Sequence, residues 1–172
     1  ETDVTMIVMG SRGMGGLSGM VMGSVSASVV SHASCPVVVV REDNHVTDST
    51  KYGPVVVGVD GSEVSQKATA YAFREAQARG AALIAVHTWM DMQVQASLAG
   101  LSAAQSEWAD IEKEQSELLT ENLKEPREEY PEVEVKKLIT RDRPVSALTE
   151  AAEGAQLLVV GSHGRGGFKG ML

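Results

Sequence analysis

The chain has 172 residues, 43 % of them apolar, which is enough for one ordinary core and short for two. Fifteen Lys and Arg against 23 Asp and Glu leave a formal charge of -8, and aromatics make up only 4 %; together these exclude a phosphate-gripping nucleic-acid surface and a base-stacking platform. A single cysteine, Cys35, excludes an internal disulfide framework and a multi-cysteine zinc site, and no apolar run approaches the ~20 residues of a membrane helix.

In chain order, Met6–Met9 is an unbroken apolar run and predicts a strand buried on both faces. Residues 10–23 are too rich in glycine for regular structure. Ser24 opens a helix with Val25, Val29 and Ala33 on one stripe, stopped at Cys35-Pro36. Val37–Val40 is a second strand, and residues 42–53 are polar and read as a linker. Val55–Val59 predicts a third strand, turned at Asp60-Gly61-Ser62, with Ser62 or Asp60 placed to cap a helix from Val64 to Arg79. Gly80 is placed to end that helix, and Ala68, Ala72 and Ala76 form a small-residue stripe for close packing on a sheet.

Leu83–Val86 is another strand, and residues 91–101 form a loop. A long helix follows over about 102–124, with Trp108, Ile111, Leu118 and Leu119 as its apolar positions, broken at Pro126 and Pro131. Val133–Ile139 suits an edge strand, and Pro144 starts a helix through Ala152 that Gly154 ends. Leu157–Val160 completes the series. Strands alternating with helices predict an α/β fold with a parallel sheet covered on both faces. Ligands of such sheets sit beyond the carboxyl ends of the strands.

The chain repeats itself. Residues 5–20 read TMIVMGSRGMGGLSGM and residues 156–171 read QLLVVGSHGRGGFKGM, with five glycines at matching offsets from Gly10 and Gly161 onward. The shift of 151 residues (161 minus 10) is about one domain length. The chain therefore reads as residues 1–41, the end of one copy; 42–53, a linker; and 54–172, a second copy that stops inside its glycine stretch. The first residue is Glu1 rather than Met, which fits a removed leader or a cut through a longer chain.

The first glycine stretch leaves a buried strand and enters a helix at Gly23-Ser24. Glycine lets backbone N–H groups approach a ligand closely, and a helix start adds unpaired donors and partial positive charge. That combination makes a phosphate cradle; the plainer reading is a turn that needs glycine only for its shape. A Walker loop is excluded because no G-x-x-x-x-G-K-[ST] occurs, and a dinucleotide fingerprint because Ser18 stands where its third glycine belongs.

The spacing Gly10-x2-Gly13-x9-Gly23-Ser24 resembles the G-2x-G-9x-G-[ST] motif of ATP-binding universal stress proteins. VVVGVDGSEVS (55–65), VHTW (86–89) and VVVV (37–40) also look like that family's first, second and fifth strands. The resemblance covers nearly the whole chain, and the tandem arrangement resembles two-domain members. It implies a Rossmann-like five-stranded parallel sheet in the order 3-2-1-4-5, a cytoplasmic regulatory or stress-response protein, and binding of ATP, ADP or AMP with Mg²⁺ as an accompanying cation.

Carried over residue by residue, Asp60 would contact the ribose or adenine side, Gly58 would let the strand end approach it, and Thr88 would offer its backbone to the adenine. Gly10, Gly13, Gly23 and Ser24 would hold the phosphates, and Gly161 and Gly164 would begin the same cradle in the second copy. Asp60 and the intact loop belong to different copies here, so their meeting needs closure within one chain, a second chain, or a longer tandem protein.

Other residues have plainer readings. His87 reads as a packed core histidine, Cys35 as a small buried hydrophobe, and the acidic run at 125–134 as a solvated helix end. Two alternatives stand beside nucleotide binding. One is a weak ATP hydrolase, which needs a base or Mg²⁺ ligands for which only Asp60 and Asp142 are placed. The other is a ligand-independent module that dimerises, or pairs tandem domains, through Val37, Val38, Val39 and Val40.

Overall fold

The computed structural model describes residues 4–11, 23–40, 53–89 and 105–162. The chain divides into two compact units, Glu1–Val46 and Thr47–Leu172.

In the first unit β1 (Ile7–Gly10) leads through α1 (Ser24–His32) to β2 (Val37–Val40). The strands pair in parallel, Ile7 opposite Val37 and Gly10 opposite Val40. The apolar run of β1 was expected to be buried on both faces, but it alternates between half-buried and exposed, with Val8 63 % exposed. The expected Val25–Val29–Ala33 stripe is not the inner face of α1 either, since Val25 is 74 % exposed and Ser26 is the buried residue.

The second unit holds β3 (Val55–Gly58), α2 (Glu63–Arg79), β4 (Leu83–Thr88), α3 (Gln105–Glu129), β5 (Val135–Thr140), α4 (Pro144–Ala151) and β6 (Leu157–Val159). Its four strands are parallel in the order β5-β4-β3-β6. Val55, Val56 and Val57 are fully buried, as a central strand with helices on both faces requires. Val55 and Val57 join Ala72, Phe73 and Ala76 of α2 and Leu119 and Leu123 of α3 in one core. Val56 turns the other way, onto Ala147 and Leu148 of α4.

Local chemistry sets the ends of α2. Ser62 Oγ accepts from the Ser65 N–H at 3.2 Å, and Gly80 takes the left-handed conformation at φ 60. The Ala81 N–H then returns to the Ala76 carbonyl at 2.9 Å, closing a Schellman-type end. Ala68, Ala72 and Ala76 are all buried, as their spacing predicts.

Two expectations for the long helix fail. Pro126 lies inside α3, one turn from its end, where it forgoes one intrahelical bond rather than breaking the helix. The buried stripe is Gln115, Leu119 and Leu123, while Leu118 is 39 % exposed. The Trp108 side chain and the segments 41–52 and 90–104 lie outside the described residues.

The α/β class and the parallel pairing match the sequence expectation, and β5 is an edge strand as its mixed pattern predicts. The single five-stranded sheet in the order 3-2-1-4-5 is corrected: the described strands form one sheet of four and one of two. Both edges of β3 are taken, by β4 and β6, and among the described residues β1, which carries the same sequence pattern as β6, pairs with β2.

Candidate functional site

In the first unit the chain leaves β1 at Gly10 and Ser11 and returns at Gly23. The Gly23 N–H donates to the Ser11 carbonyl at 2.9 Å, and the Ser26 hydroxyl donates to the Gly10 carbonyl at 3.0 Å. The Ser11 N–H in turn reaches the Val40 carbonyl at 2.9 Å. Ser11 and Gly23 are thus joined at the carboxyl end of the β1–β2 pair.

Gly23 caps α1 with φ -69 and ψ 155, extended backbone open to any residue. A methyl group there would sit 3.8 Å from the Ser11 carbonyl oxygen, an ordinary contact. Among the described residues, neither conformation nor packing demands glycine at this position. Among the described residues no side chain caps α1, and no acidic residue stands in its first turn to offset its positive end. By contrast, α2 begins with the Ser62 cap and with Glu63, whose carboxyl the Lys67 ammonium at 2.8 Å holds below the usual carboxylate range. Ser24 is exposed at the start of α1. An anion fits beside such a helix start. Gly13 lies outside the described residues.

In the second unit Asp60 follows the end of β3. Its Oδ1 accepts from both the Ser62 N–H at 2.9 Å and the Ser62 hydroxyl at 2.7 Å, while its own N–H donates to Ser65 Oγ at 3.0 Å. Gly61, with φ 77, makes the bend that this clasp needs. Gly58 meets α4: a Cβ there would lie 3.3 and 3.4 Å from the Leu148 methyl carbons and 3.6 Å from Val160 Cγ1. Packing alone thus gives Gly58 a reason to be glycine.

Thr88 ends β4, half-buried, with Thr140 of β5 as its partner in register. Trp89 is buried beyond it, with the Arg141 guanidinium carbon 5.8 Å from its ring centre. Gly161 follows the end of β6, the strand next to β3.

The structure gathers the predicted residues into two sets. Asp60, Thr88 and Gly161 lie at the carboxyl ends of neighbouring strands of one sheet, with Gly58 just below Asp60. Gly10, Gly23 and Ser24 gather at the start of α1. Gly164 lies outside the described residues. Among the described residues no three His, Cys, Asp or Glu side chains converge as a metal site. Asp142, one of the two carboxylates placed for hydrolysis, accepts the Arg143 N–H at 2.6 Å.

Sequence reasoning missed one pair. His87 is buried, as expected, but its Nδ1 lies 2.7 Å from the Val59 carbonyl and its Nε2 3.0 Å from Gln115 Oε1. The available signal was Gln115 itself, which stands at the i, i+4, i+8 spacing with Leu119 and Leu123.

The sequence model of the universal stress protein family matches residues 1–41 and 51–172. Universal stress protein Rv2005c of Mycobacterium tuberculosis (strain ATCC 25618 / H37Rv) is 45 % identical over 172 residues, covering 100 % of this chain and 56 % of that protein. Universal stress protein Rv1996 of the same strain is 46 % identical over 168 residues, covering 98 % of this chain and 52 % of its own length. The chain thus spans about half the length of these relatives. The crystal structure of a universal stress protein from Archaeoglobus fulgidus DSM 4304 superposes with a TM-score of 0.56 at 23 % identity, over 91 % of this chain and 50 % of that one, and shares its fold. The chain belongs to the universal stress protein family.

Proposed function

We propose that this chain binds an adenine nucleotide, ATP in the first place and ADP or AMP with the same base and ribose contacts, in a regulatory stress-response role with no sustained turnover. The observation that carries the reading is the pair of bonds at the start of α1. Ser11 to Gly23 and Ser26 to Gly10 bring the residues flanking the glycine stretch to a helix start that, among the described residues, carries no side-chain cap and no acid in its first turn. Phosphate oxygens are the acceptors such a start suits. Gly10, Gly13, Gly23 and Ser24 would take the phosphates, and Asp60 and Thr88 would take the ribose and base side. Gly161 and Gly164 would open the equivalent cradle of the second copy. The domain reading goes with this: 1–41 closes one repeat, and 54–172 forms most of the next.

The test is calorimetric titration of the chain with ATP, ADP and AMP, with and without Mg²⁺. Saturable binding of about one nucleotide per intact cradle is expected, together with phosphate release no faster than background. Absence of heat for all three nucleotides would refute the reading.

A second reading is an interface along β2. Its pairing with β1 is the one that the described residues give it, and Val40 is 52 % exposed at its end. An open strand edge pairs readily with another strand. Pairing of two chains, or of tandem domains, through Val37, Val38, Val39 and Val40 is compatible with nucleotide binding.

A further inference from the structure

We propose that His87 and Gln115 are positioning residues: a buried bracket that fixes the end of β3, and with it Asp60, against the end of β4. His87 sits between Val86, in the core, and Thr88, at the strand end. Its Nδ1 donates to the Val59 carbonyl at 2.7 Å, and the Val59 N–H donates to the Val86 carbonyl at 2.8 Å. Both backbone polar groups of Val59 are therefore held by two consecutive residues of β4. Asp60 is the next residue, so its departure direction is set by that double hold.

The other ring nitrogen of His87 meets Gln115 of α3 at 3.0 Å. His87 is 8 % exposed and Gln115 1 %. Because the Val59 carbonyl can only accept, Nδ1 carries a proton. The Gln115 amide, which carries both an acceptor and a donor, faces Nε2.

Stability alone does not call for this arrangement. A buried polar pair replaced by apolar groups of matching shape is often neutral or stabilising, whereas a half-satisfied one is costly. Gln115 stands in line with Leu119 and Leu123, where a third leucine would extend the core. What the polar pair adds is direction. It ties β3, β4 and α3 together at the carboxyl edge of the sheet, beside Asp60 and Thr88. In the nucleotide-binding reading, on which this consequence rests, the bracket keeps those two residues at a fixed separation before ligand arrives.

The experiment compares the full 172-residue chain with His87→Leu, His87→Asn and Gln115→Leu. Two quantities are read: amide hydrogen exchange at Asp60, Val56 and Val57 without ligand, and ATP affinity by calorimetry. His87→Leu should speed exchange at Asp60 about tenfold and weaken ATP binding about tenfold, with Val56 and Val57 as protected as in the parent chain. Gln115→Leu should move both in the same direction by less. His87→Asn keeps a short amide donor for the Val59 carbonyl and should bring both quantities back to within about threefold. Unchanged exchange at Asp60 in His87→Leu would overturn the proposal. So would equal loss of protection at Val56 and Val57, which marks a core defect, or an Asn variant no better than Leu. If the parent chain binds no ATP, the nucleotide reading fails by itself, and the exchange pattern still decides on the bracket.

Discussion

Ser26, in the first turn of α1, gives its hydroxyl to the carbonyl of Gly10 at the end of β1, 3.0 Å away and across sixteen residues of chain. It is the buried residue of that helix, on which Val25 is 74 % exposed. A serine hydroxyl, rather than an apolar stripe, thus joins the helix start to the strand end. Ser26→Ala should leave the Gly10 carbonyl without that donor and cost about 1 kcal/mol within the first unit. Faster amide exchange at Gly23 and Ala27, with exchange in β3 unchanged, would register the loss.

Gly23 separates a ligand effect from a folding effect. Its backbone is extended and a Cβ would clear Ser11 O at 3.8 Å, so Gly23→Ala fits the fold. Exchanging a glycine N-cap for alanine costs about 0.5–1 kcal/mol of helix stability. Gly23→Val should retain the circular dichroism spectrum and weaken ATP binding at least about tenfold, because its methyl groups occupy space beside the helix start. Gly10→Val should act in the same direction. Wild-type affinity in both valine variants would remove the cradle.

Asn can separate the turn that Asp60 holds from the ribose contact proposed for it. The Asp60 Oδ1 accepts two bonds from Ser62 at 2.9 and 2.7 Å. Asp60→Asn keeps an acceptor in that place and should keep thermal stability close to the parent. Asp60→Ala removes it and should cost about 1–2 kcal/mol, the usual range for a lost turn or cap acceptor. If a carboxylate is needed at the ribose, both variants lose affinity, and Asn does so without losing stability. Calorimetry and thermal unfolding on the same samples separate the two contributions.

The parts of the fold that were legible in the sequence are those decided by neighbouring residues. The Val55–Val59 run, the Ser62 cap, the alanine stripe and the Gly80 terminus each follow from chemistry within one turn or strand, and each stands as expected. Misjudged features depend on distant partners. The period of α1 matched an apolar stripe, yet its covered face is set by the Gly10 carbonyl. Pro126 reads as a breaker, but one turn from the end of α3 it costs too little to stop the helix. Two segments carried the same strand pattern, and only pairing geometry decides that β6, not β1, lies beside β3. For the candidate site, the residue types were legible, and so was the assignment of Asp60 and the Gly10–Gly23 loop to different parts of the chain. Asp60, Thr88 and Gly161 share one sheet edge, whereas the Gly10–Gly23 closure belongs to the first unit.

Gly58 tests whether packing or ligand approach sets its identity. An added Cβ meets the flexible end of Leu148 at 3.3 Å, which is tight but yielding. Gly58→Ala should therefore cost about 1 kcal/mol, and Gly58→Val about 2–3 kcal/mol, as overpacked sites do. Leu148→Ala creates room and should recover part of the Gly58→Val loss, a coupling that a double-mutant cycle measures. If ATP affinity falls in Gly58→Ala and Leu148→Ala does not restore it, the glycine serves the ligand as well as α4.

Val40 bears on the interface reading. It ends β2 and is 52 % exposed, so Val40→Lys should leave the first unit folded. A lysine on a strand edge opposes pairing with a second strand, through its charge and its hydration. If chains associate through β2, sedimentation equilibrium should show the Val40→Lys chain shifted toward monomer by about tenfold in dissociation constant, with ATP affinity unchanged. Identical association in both chains would place any self-contact elsewhere. A coupled loss of ATP affinity would instead join the edge to the cradle, which the Ser11 N–H to Val40 carbonyl bond at 2.9 Å gives a direct route to do.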